Sequence, residues 1–323
     1  MKLRRDAYAV IVGIGRYRDA QVRRLNYACD DATALREVLV DPDFGAFPEE
    51  NVKLLLNADA SLRSIKGAIG KWLFQNAGPQ ATAVVFFAGH GGLEADKEGH
   101  EKDGLAKYLL PWDAEPEDLF STGLSDSEFR RLLNAIKAQS VVVFLDACYA
   151  AGVTSRGARN VAVVSNPFAR LSEGQGRLVI ASAQPNQQSW EDDSLGHGIF
   201  THHLLEALRG EADRNADGCV SAYEVFAHLQ QRVPESARRL SNSVQQPMLC
   251  GEESRSIILT RTPERQPRPL PHSPLPSPPD PTAPAAVGRG RTADTPTRRF
   301  CTGCGAAIKA QQQFCIGCGK RLV

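Results

Sequence analysis

Apolar runs and amphipathic stretches alternate along roughly the first 260 residues of the chain. The apolar runs predict strands at Tyr8–Ile14, Val52–Leu56, Thr82–Ala88, Ser140–Leu145, Leu178–Ala181 and Ser256–Leu259. Apolar residues at helical spacing predict helices at Asp31–Leu39, Ile65–Phe74, Asp126–Ile136 and His197–Leu208. Continuous strands of Val, Phe and Leu separated by helices are typical of an α/β fold, in which helices cover both faces of a mostly parallel sheet.

A proline-rich segment separates this region from the C-terminus. Residues 263–284 contain ten of the chain's 20 prolines, which exclude a helix or a central strand there. We therefore expect an extended, semi-rigid linker over residues 261–297. It would join a large domain at residues 1–260 to a small module at residues 298–323.

Charge and cysteine usage exclude several classes of protein. The formal net charge is +1, which gives no overall attraction to nucleic acid or to a membrane surface. No apolar run approaches the ~20 residues of a transmembrane helix, and no clean cleavage site follows the basic start. Four of the eight cysteines are scattered, unlike those of a disulfide framework. We expect a cytoplasmic protein with reduced thiols and no membrane association.

The C-terminal module carries two copies of a Phe-Cys-x-Gly-Cys-Gly motif. The motifs contain the four remaining cysteines, Cys301, Cys304, Cys315 and Cys318. Each Cys-x-x-Cys turn directs two sulfurs at one point, and two such turns complete the tetrahedral Cys₄ site of a zinc ribbon. The alternative is a redox dithiol pair, which lacks the surrounding βαβ unit. So short a module holds no core of its own, so structural Zn²⁺ would supply its folding energy.

A histidine and a cysteine follow two of the predicted strands. Gly89-His90-Gly91 comes directly after one strand, and Asp146-Ala147-Cys148 comes directly after another. Because catalytic groups gather at the carboxyl ends of parallel strands, we expect His90 and Cys148 to meet there. A thiol beside an imidazole is the arrangement that nucleophilic cysteine catalysis needs. Taken alone, Cys148 also fits an inert packing role.

These motifs resemble those of the caspase and metacaspase class of cysteine peptidases. The matching segments, within roughly residues 5–260, are Tyr8–Gly13, Leu25–Ala32, Phe87–Gly91, Leu145–Gly152, Ser182–Ala183, Glu191–Asp192 and Gly196–Phe200. The resemblance implies a caspase-like fold and a cysteine endopeptidase that acts on proteins or peptides. The chain departs from the pattern at Ala88, where metacaspases often carry serine, and at Tyr149-Ala150, where His-Ser is common.

The resemblance also implies a mechanism. The thiolate of Cys148 would attack a peptide carbonyl, and His90 would activate the thiol or protonate the leaving amine. The backbone N–H groups of Gly91 and Cys148 would form the oxyanion hole, where a glycine leaves room for the substrate. The family works with a dyad, so no third catalytic carboxylate is assigned.

The residue two positions before the cysteine bears on substrate preference. Caspases that cleave after aspartate carry glutamine there, whereas this chain has Asp146. By resemblance to metacaspases, Asp31 and Asp146 line an acidic pocket for arginine or lysine at P1, the residue before the cleaved bond. Asp31 also fits an N-cap of the first helix. Trp190, Glu191 and Asp192 are assigned to neighbouring subsites, with a plain polar loop as the alternative.

The segment Asp213–Glu224 matches the spacing of an EF-hand calcium loop. Its ligands for Ca²⁺ would be the side chains of Asp213, Asn215, Asp217, Ser221 and Glu224 and the backbone carbonyl of Cys219. A lone loop also fits a turn between two helices, with Asp217 and Ser221 as caps. In metacaspases calcium acts through acidic residues elsewhere, including a place where this chain has Thr154-Ser155-Arg156.

Processing sites and partners complete the prediction. Arg156 and Arg159, in the polar segment 152–166, and the arginines of the linker are candidates for self-cleavage. The zinc ribbon is expected to dock a protein partner or recruit substrate. Its basic residues, Arg298, Arg299, Lys309, Lys320 and Arg321, fit nucleic-acid binding or an ordinary solvated rim. The rival function is a catalytically silent scaffold or adaptor that acts through the zinc ribbon.

Overall fold

The computed structural model describes most of the first 262 residues and two short strands near the C-terminus. The described residues are 6–96, 99, 103–147, 153–154, 171, 176–251, 256–262, 299–300 and 307–308. The chain divides into two compact units, residues 1–268 and 269–323. In the second unit the described residues form an antiparallel pair of strands, Arg299–Phe300 with Ala307–Ile308.

Strands and helices alternate through the first unit. The strands are β1 (Ala7–Gly13), β2 (Val52–Leu56), β3 (Thr82–Ala88), β4 (Gly91–Ala95), β5 (Leu105–Leu109), β6 (Leu124–Ser125), β7 (Ser140–Asp146), β8 (Val153–Thr154), β9 (Arg177–Ala181), β10 (Glu191–Asp192), β11 (His197–Gly198), β12 (Cys219–Ser221), β13 (Met248–Cys250) and β14 (Ile258–Arg261). The helices are α1 (Ala28–Val40), α2 (Leu62–Lys66), α3 (Phe74–Asn76), α4 (Leu119–Thr122), α5 (Asp126–Ala135), α6 (Ile199–Glu206) and α7 (Ala222–Ser241). The π-helical segments are Gly67–Leu73, between α2 and α3, and Ala207–Glu211, after α6.

The central sheet contains six strands in the order β13, β9, β7, β3, β1, β2. Neighbouring strands run parallel except β13, which is antiparallel to β9. The prediction of a mostly parallel sheet is therefore confirmed. Gly13 pairs with Ala88, and Ala88 pairs with Asp146, so β1, β3 and β7 end level at one edge of the sheet.

Alternating side chains along the strands divide the core into two layers. One layer joins β1, the helix that runs from α2 to α3, and α5, through side chains such as Val10, Ile69 and Phe129. The other joins β1 to α1, α6 and α7, through side chains such as Ile11 and Leu35. Helices therefore cover both faces of the sheet, as predicted.

Several predicted boundaries differ by a few residues from the observed elements. Helix α6 begins at Ile199 rather than at His197, because β11 pairs with β10 as a short antiparallel ladder. The strand predicted at Ser256–Leu259 is β14, which begins at Ile258. It pairs with β12 outside the central sheet.

Asp31 does not cap the first helix. Helix α1 begins at Ala28, and its N-cap residue is Tyr27, so the interpretation of Asp31 as an N-cap is wrong. Asp31 lies in the first turn, where the helix dipole favours a negative charge. Its side chain is nevertheless buried, with 2% of the residue exposed, so its environment needs a further explanation.

The hydrophobic pattern does not indicate the second sheet, whose four strands lie in the order β6, β5, β4, β8. Strand β4 begins at Gly91, directly after His90. It pairs antiparallel with β5 and parallel with β8. Glu94 and Lys107 occupy buried positions in this sheet, so it lacks the apolar runs of the central strands. None of the helices in the described ranges has the length and apolar character to cross a bilayer.

Candidate active site

His90 lies at the level edge of the central sheet, between the end of β3 and the start of β4. Its Nε2 atom lies 2.7 Å from the carbonyl oxygen of Arg23. Because a carbonyl oxygen only accepts hydrogen bonds, Nε2 carries the proton and Nδ1 is the basic nitrogen. Burial lowers the pKa of His90, which favours the neutral ring at neutral pH. The imidazole is therefore set to accept a proton at Nδ1.

Tyr17 supports the backbone of His90. The N–H of His90 donates a hydrogen bond to the Tyr17 hydroxyl at 2.7 Å, and the two ring centroids are 5.5 Å apart. Gly89 permits this approach, since a Cβ atom there would come within 2.9 Å of the Tyr17 hydroxyl and of the Phe87 ring. Sequence reasoning missed Tyr17 and the Arg23 carbonyl, because no local motif marks contacts across 73 and 67 positions.

Cys148 lies outside the described residues. Its sequence position can be compared with that of His90 through the pairing of Ala88 in β3 with Asp146 in β7. His90 follows Ala88 by two positions, and Cys148 follows Asp146 by two positions. The N–H of Gly89 donates to the carbonyl of Asp146 at 3.2 Å, which continues the pairing past the end of β3. Ala147, the residue before Cys148, lines the same cavity as His90.

The N–H of Gly91 points away from β5. Leu110 donates its N–H to the carbonyl of His90 at 3.0 Å. This bond makes Gly91 and Leu109 a pair that exchanges no hydrogen bonds, so both N–H groups point outward from the ladder. The backbone donor predicted for the oxyanion hole is thus not used in the ladder between β4 and β5.

Asp31 and Asp146 converge on the backbone of Gly198. A Cβ atom added at Gly198 would lie 3.0 Å from Oδ2 of Asp31 and 3.1 Å from Oδ2 of Asp146. The N–H of Gly198 donates to Oδ2 of Asp31 at 3.1 Å, and Nδ1 of His197 lies 2.7 Å from its Oδ1. Glycine at this position therefore lets the two carboxylates face one space.

Hydroxyl groups hold the carboxylate of Asp146. The Ser189 hydroxyl donates to its Oδ1 at 2.6 Å, and the Thr201 hydroxyl donates to its Oδ2 at 2.7 Å. Burial raises the pKa of Asp146. Burial also raises the pKa of Asp31 to about 7, and the charge of Asp146 adds to this effect. Within the described ranges, neither carboxylate has a Lys or Arg partner.

These side chains line one cavity of about 260 Å³. The sequence-predicted residues in its wall are His90, Asp31, Asp146, Trp190 and Glu191. Asp192 is not among the lining residues, since its Oδ1 accepts hydrogen bonds from the N–H and hydroxyl of Ser194. Its two neighbours Glu191 and Asp193 line the cavity instead. The structure therefore gathers five of the predicted residues and leaves Asp192 outside.

The calcium loop predicted from the sequence lies between α6 and α7. Gly218 has a φ of 78°, and its N–H donates to Oδ2 of Asp213 at 3.2 Å. Oδ1 of Asp217 accepts from the N–H of Cys219 at 2.8 Å, and Oδ1 of Asn215 accepts from the N–H of Asp217 at 3.0 Å. The loop therefore has a tight turn closed by its own side chains. Oδ1 of Asp213 is buried with no hydrogen-bond partner in the described part of the chain.

Ser221 and Glu224 cap the start of α7. The Ser221 hydroxyl accepts from the N–H of Glu224, and Oε2 of Glu224 accepts from the N–H and the hydroxyl of Ser221 at 2.9 and 2.8 Å. The capping alternative is therefore confirmed for Ser221, whereas Asp217 closes a turn rather than a helix. The carboxylates of Asp213, Asp217 and Glu224 do not gather within 4.8 Å of one another.

The four cysteines of the predicted zinc site lie outside the described residues. In the sequence, Cys301 and Cys304 fall between the paired strands Arg299–Phe300 and Ala307–Ile308. Of the scattered cysteines, Cys29 and Cys219 are unpaired thiols.

The chain belongs to the caspase-domain family of peptidases, because residues 6–256 match the family described as the caspase domain. Metacaspase-3 of Arabidopsis thaliana is 29% identical over 200 residues, which cover 59% of this chain and 45% of that protein. A protein named as a probable protease from a Desulfuromonadales bacterium is 23% identical over 272 residues, 76% of this chain and 32% of its own length. The chain thus spans less than half of either relative.

Two solved structures show the same fold. A protein from Geobacter sulfurreducens has a TM-score of 0.53 at 20% identity, covering 76% of this chain and 94% of the other. Caspase-1 from Spodoptera frugiperda has a TM-score of 0.50 at 17% identity, covering 82% of this chain and 94% of the other. The caspase-like fold expected from the sequence is therefore confirmed.

Proposed function

We propose that the chain is a cysteine endopeptidase with His90 and Cys148 as its catalytic dyad. The observation that carries the proposal is the neutral His90 in the cavity that Ala147, the residue before Cys148, also lines. Arg23 and Tyr17 hold the imidazole in one tautomer and one orientation. Membership of a peptidase family supports the same reading.

The chemistry follows from the tautomer of His90. Its Nδ1 accepts the thiol proton of Cys148, and the thiolate sulfur bonds to the carbonyl carbon of the substrate. The electron pair moves to the carbonyl oxygen, which the N–H groups of Gly91 and Cys148 stabilise. The imidazolium then gives its proton to the leaving amine as the C–N bond breaks. Water releases the acyl group from sulfur and restores the thiol.

Replacement of single cysteines tests this dyad. Cys148→Ala is expected to abolish hydrolysis of fluorogenic peptides, and Cys29→Ala, a thiol outside the cavity wall, is the matched control. If both variants retained the activity of the unchanged chain, the dyad would be wrong. If the unchanged chain hydrolysed no peptide, the alternative of a silent scaffold that acts through its C-terminal module would replace this proposal.

We infer that the cavity binds arginine or lysine at P1. The carboxylates of the buried Asp31 and the half-buried Asp146 face one space, and no Lys or Arg of the described chain forms an ion pair with either of them. A guanidinium group between them would hold both carboxylates ionised through paired hydrogen bonds. Glu191 and Asp193 in the same wall add to the negative potential. An aspartate at P1 would add a third acid beside Asp31 and Asp146.

A set of matched peptides measures this preference. Peptides that differ only at P1 would carry arginine, lysine, citrulline or aspartate. We expect turnover in the order arginine, lysine, citrulline, with none for aspartate. Citrulline keeps the shape of arginine but not its charge, so equal turnover of the two would contradict an electrostatic pocket.

We further propose that the loop Asp213–Glu224 binds Ca²⁺. Its support is the left-handed Gly218 and the buried, unpartnered Oδ1 of Asp213. To bind the ion, Glu224 would have to give up the hydrogen bonds with Ser221 that cap the start of α7. Calorimetric titration with Ca²⁺ is expected to show binding that Asp213→Asn and Glu224→Gln weaken. Equal peptidase activity with calcium and with chelator would show that calcium does not regulate the peptidase. Unchanged calcium binding in both variants would show that the ion does not bind at this loop.

We propose that Cys301, Cys304, Cys315 and Cys318 hold one structural Zn²⁺ and form a docking module for a protein or a substrate. The strand pair on both sides of Cys301 and Cys304 supports a knuckle there. Metal analysis of the full chain is expected to find one zinc fewer in the double variant Cys301→Ser, Cys304→Ser.

Self-cleavage after Arg156 or Arg159 is expected from a basic P1 preference. A single intact band on a gel while the chain is active would contradict it.

A further inference from the structure

Three histidines and one glutamate form a cluster between α6 and α7, outside the cavity. Helix α6 carries His202, His203 and Glu206, and α7 carries His228. Nδ1 of His203 lies 2.6 Å from Oε2 of Glu206, and Nε2 of His202 lies 3.4 Å from its Oε1. Nε2 of His228 lies 3.6 Å from Oε2 of the same carboxylate. The spacing of three and four residues on α6 places His202, His203 and Glu206 close together along the helix.

His228 is the member whose environment is otherwise unexplained. The residue is 6% exposed, and its Nε2 atom is buried with no hydrogen-bond partner among the residues described. The separation of 3.6 Å from Glu206 is too long for a hydrogen bond. Buried polar atoms are nearly always paired in folded proteins. A buried imidazole nitrogen directed at a carboxylate without bonding it is accounted for by a bound cation.

His203 already has the second contact that a metal-binding histidine needs. Its Nε2 lies 2.8 Å from the hydroxyl of Ser236 on α7. This contact fixes the orientation of the ring and leaves Nδ1 on the side of Glu206.

We propose that His202, His203, His228 and Glu206 form a binding site for a single Zn²⁺ ion. Three imidazoles and one carboxylate match the ligand types and the number that zinc prefers. The ligand atoms of His202, His203 and Glu206 lie within 4.8 Å of one another. Tetrahedral zinc with bonds of ~2.0–2.1 Å separates its ligand atoms by about 3.3 Å. His228 lies outside the group of three, so its side chain has to move further than the others to complete the site.

The site is open enough to exchange its ion. The side chains of His202 and Glu206 are 27% and 33% exposed, which leaves an entry path from solvent. One carboxylate is the only negative ligand, and Arg232, paired with Glu235 at 3.8 Å, adds an opposing charge nearby. We therefore expect weaker binding than at the four-cysteine motif. The ring centroids of His202 and His197 are 6.3 Å apart, and His197 contacts Asp31, so an ion here would lie close to the cavity wall.

Zinc counting on the full chain tests the site. The full chain would be dialysed to equilibrium against excess Zn²⁺ and its bound metal measured. The double variant His202→Gln, His228→Gln is expected to bind one zinc fewer than the unchanged chain. His272→Gln, which removes an imidazole from the proline-rich segment, is the matched control and is expected to lose none. Equal zinc content in the double variant, the control and the unchanged chain overturns the proposal.

A second measurement separates this site from the cysteine motif and from misfolding. In the variant with Cys301, Cys304, Cys315 and Cys318 all replaced by Ser, Co²⁺ is expected to give the visible absorption of tetrahedral nitrogen and oxygen ligation without sulfur-to-metal charge transfer. Adding His228→Gln to it is expected to remove that absorption, with circular dichroism confirming the fold. Absorption that persists without His228 contradicts the site. Peptidase activity is not the readout, because excess zinc also inhibits a catalytic thiolate directly.

Discussion

The middle of the central sheet and its carboxyl edge are equally buried but chemically opposite. At the middle, Phe86 and Phe144 are at most 1% exposed, and their neighbours are apolar. At the edge, His90 follows the end of β3 and is 9% exposed, and Asp31 of α1, which lines the same cavity, is 2% exposed. Burial stabilises the apolar side chains and disfavours the charged forms of the polar ones. The middle of the sheet therefore stabilises the fold. The edge reduces the stability, because it buries ionisable side chains of the kind that functional sites contain.

The largest effect on the fold is expected from the middle of the sheet. Phe144→Ala removes a ring from a fully packed position and should lower the free energy of unfolding by about 3–5 kcal/mol. Phe120→Ala is the matched control, because Phe120 is 68% exposed. Denaturant unfolding of both variants measures the difference. Similar losses in the two would mean that the sheet does not dominate the stability.

The largest effect on activity is expected from the edge. Asp31→Asn leaves the shape of the pocket but removes a charge, and kcat/KM for a P1-arginine peptide should fall about 100-fold or more, as for a broken buried ion pair. Asp30→Asn, one position earlier and exposed, should leave kcat/KM unchanged. A loss of the same size for a P1-citrulline peptide would show that Asp31 acts on packing and not on charge.

The pH dependence of stability gives an intermediate effect. The pKa of Asp31 rises from 3.8 to about 7 on folding, so the folded chain binds more protons than the unfolded chain between these values. Stability should therefore fall as the pH rises from about 4 to about 7, and Asp31→Asn should lack this contribution. The stability of Asp31→Asn relative to the unchanged chain should rise by roughly 2–4 kcal/mol over this range. A pH-independent difference would place the pKa of Asp31 near its ordinary value.

The smallest effect concerns the support of His90. Tyr17→Phe removes the acceptor for the N–H of His90, and the loss of one hydrogen bond is expected to cost about 1 kcal/mol. Because the change acts on orientation, kcat should fall several-fold with little change in KM. Tyr223→Phe is the control for a lost tyrosine hydroxyl, because Tyr223 is 43% exposed and lies outside the cavity wall. A Tyr17→Phe enzyme with unchanged kcat would show that the backbone of His90 needs no such support.

The central strands were predictable because each is a continuous apolar run. The edge was predictable only in part. Asp146 and His90 follow such runs directly, so their positions came with the strands. Tyr17, the Arg23 carbonyl and Gly198 were missed, because their roles arise from contacts between loops far apart in sequence. Asp192 was misassigned for a different reason, because it shares its short strand with Glu191 but its carboxylate bonds within its own turn.

Affinity labelling tests the reactivity of Cys148 and the P1 preference in one experiment. The full chain would be treated with two chloromethyl ketones that differ only in arginine or aspartate at P1, and the modified cysteine would be mapped by mass spectrometry. We predict a single adduct, on Cys148, that forms far faster with the arginine reagent than with the aspartate reagent. The variant Cys148→Ala should form no adduct. An adduct on Cys29, modification spread over several cysteines, or equal rates for both reagents would contradict this prediction.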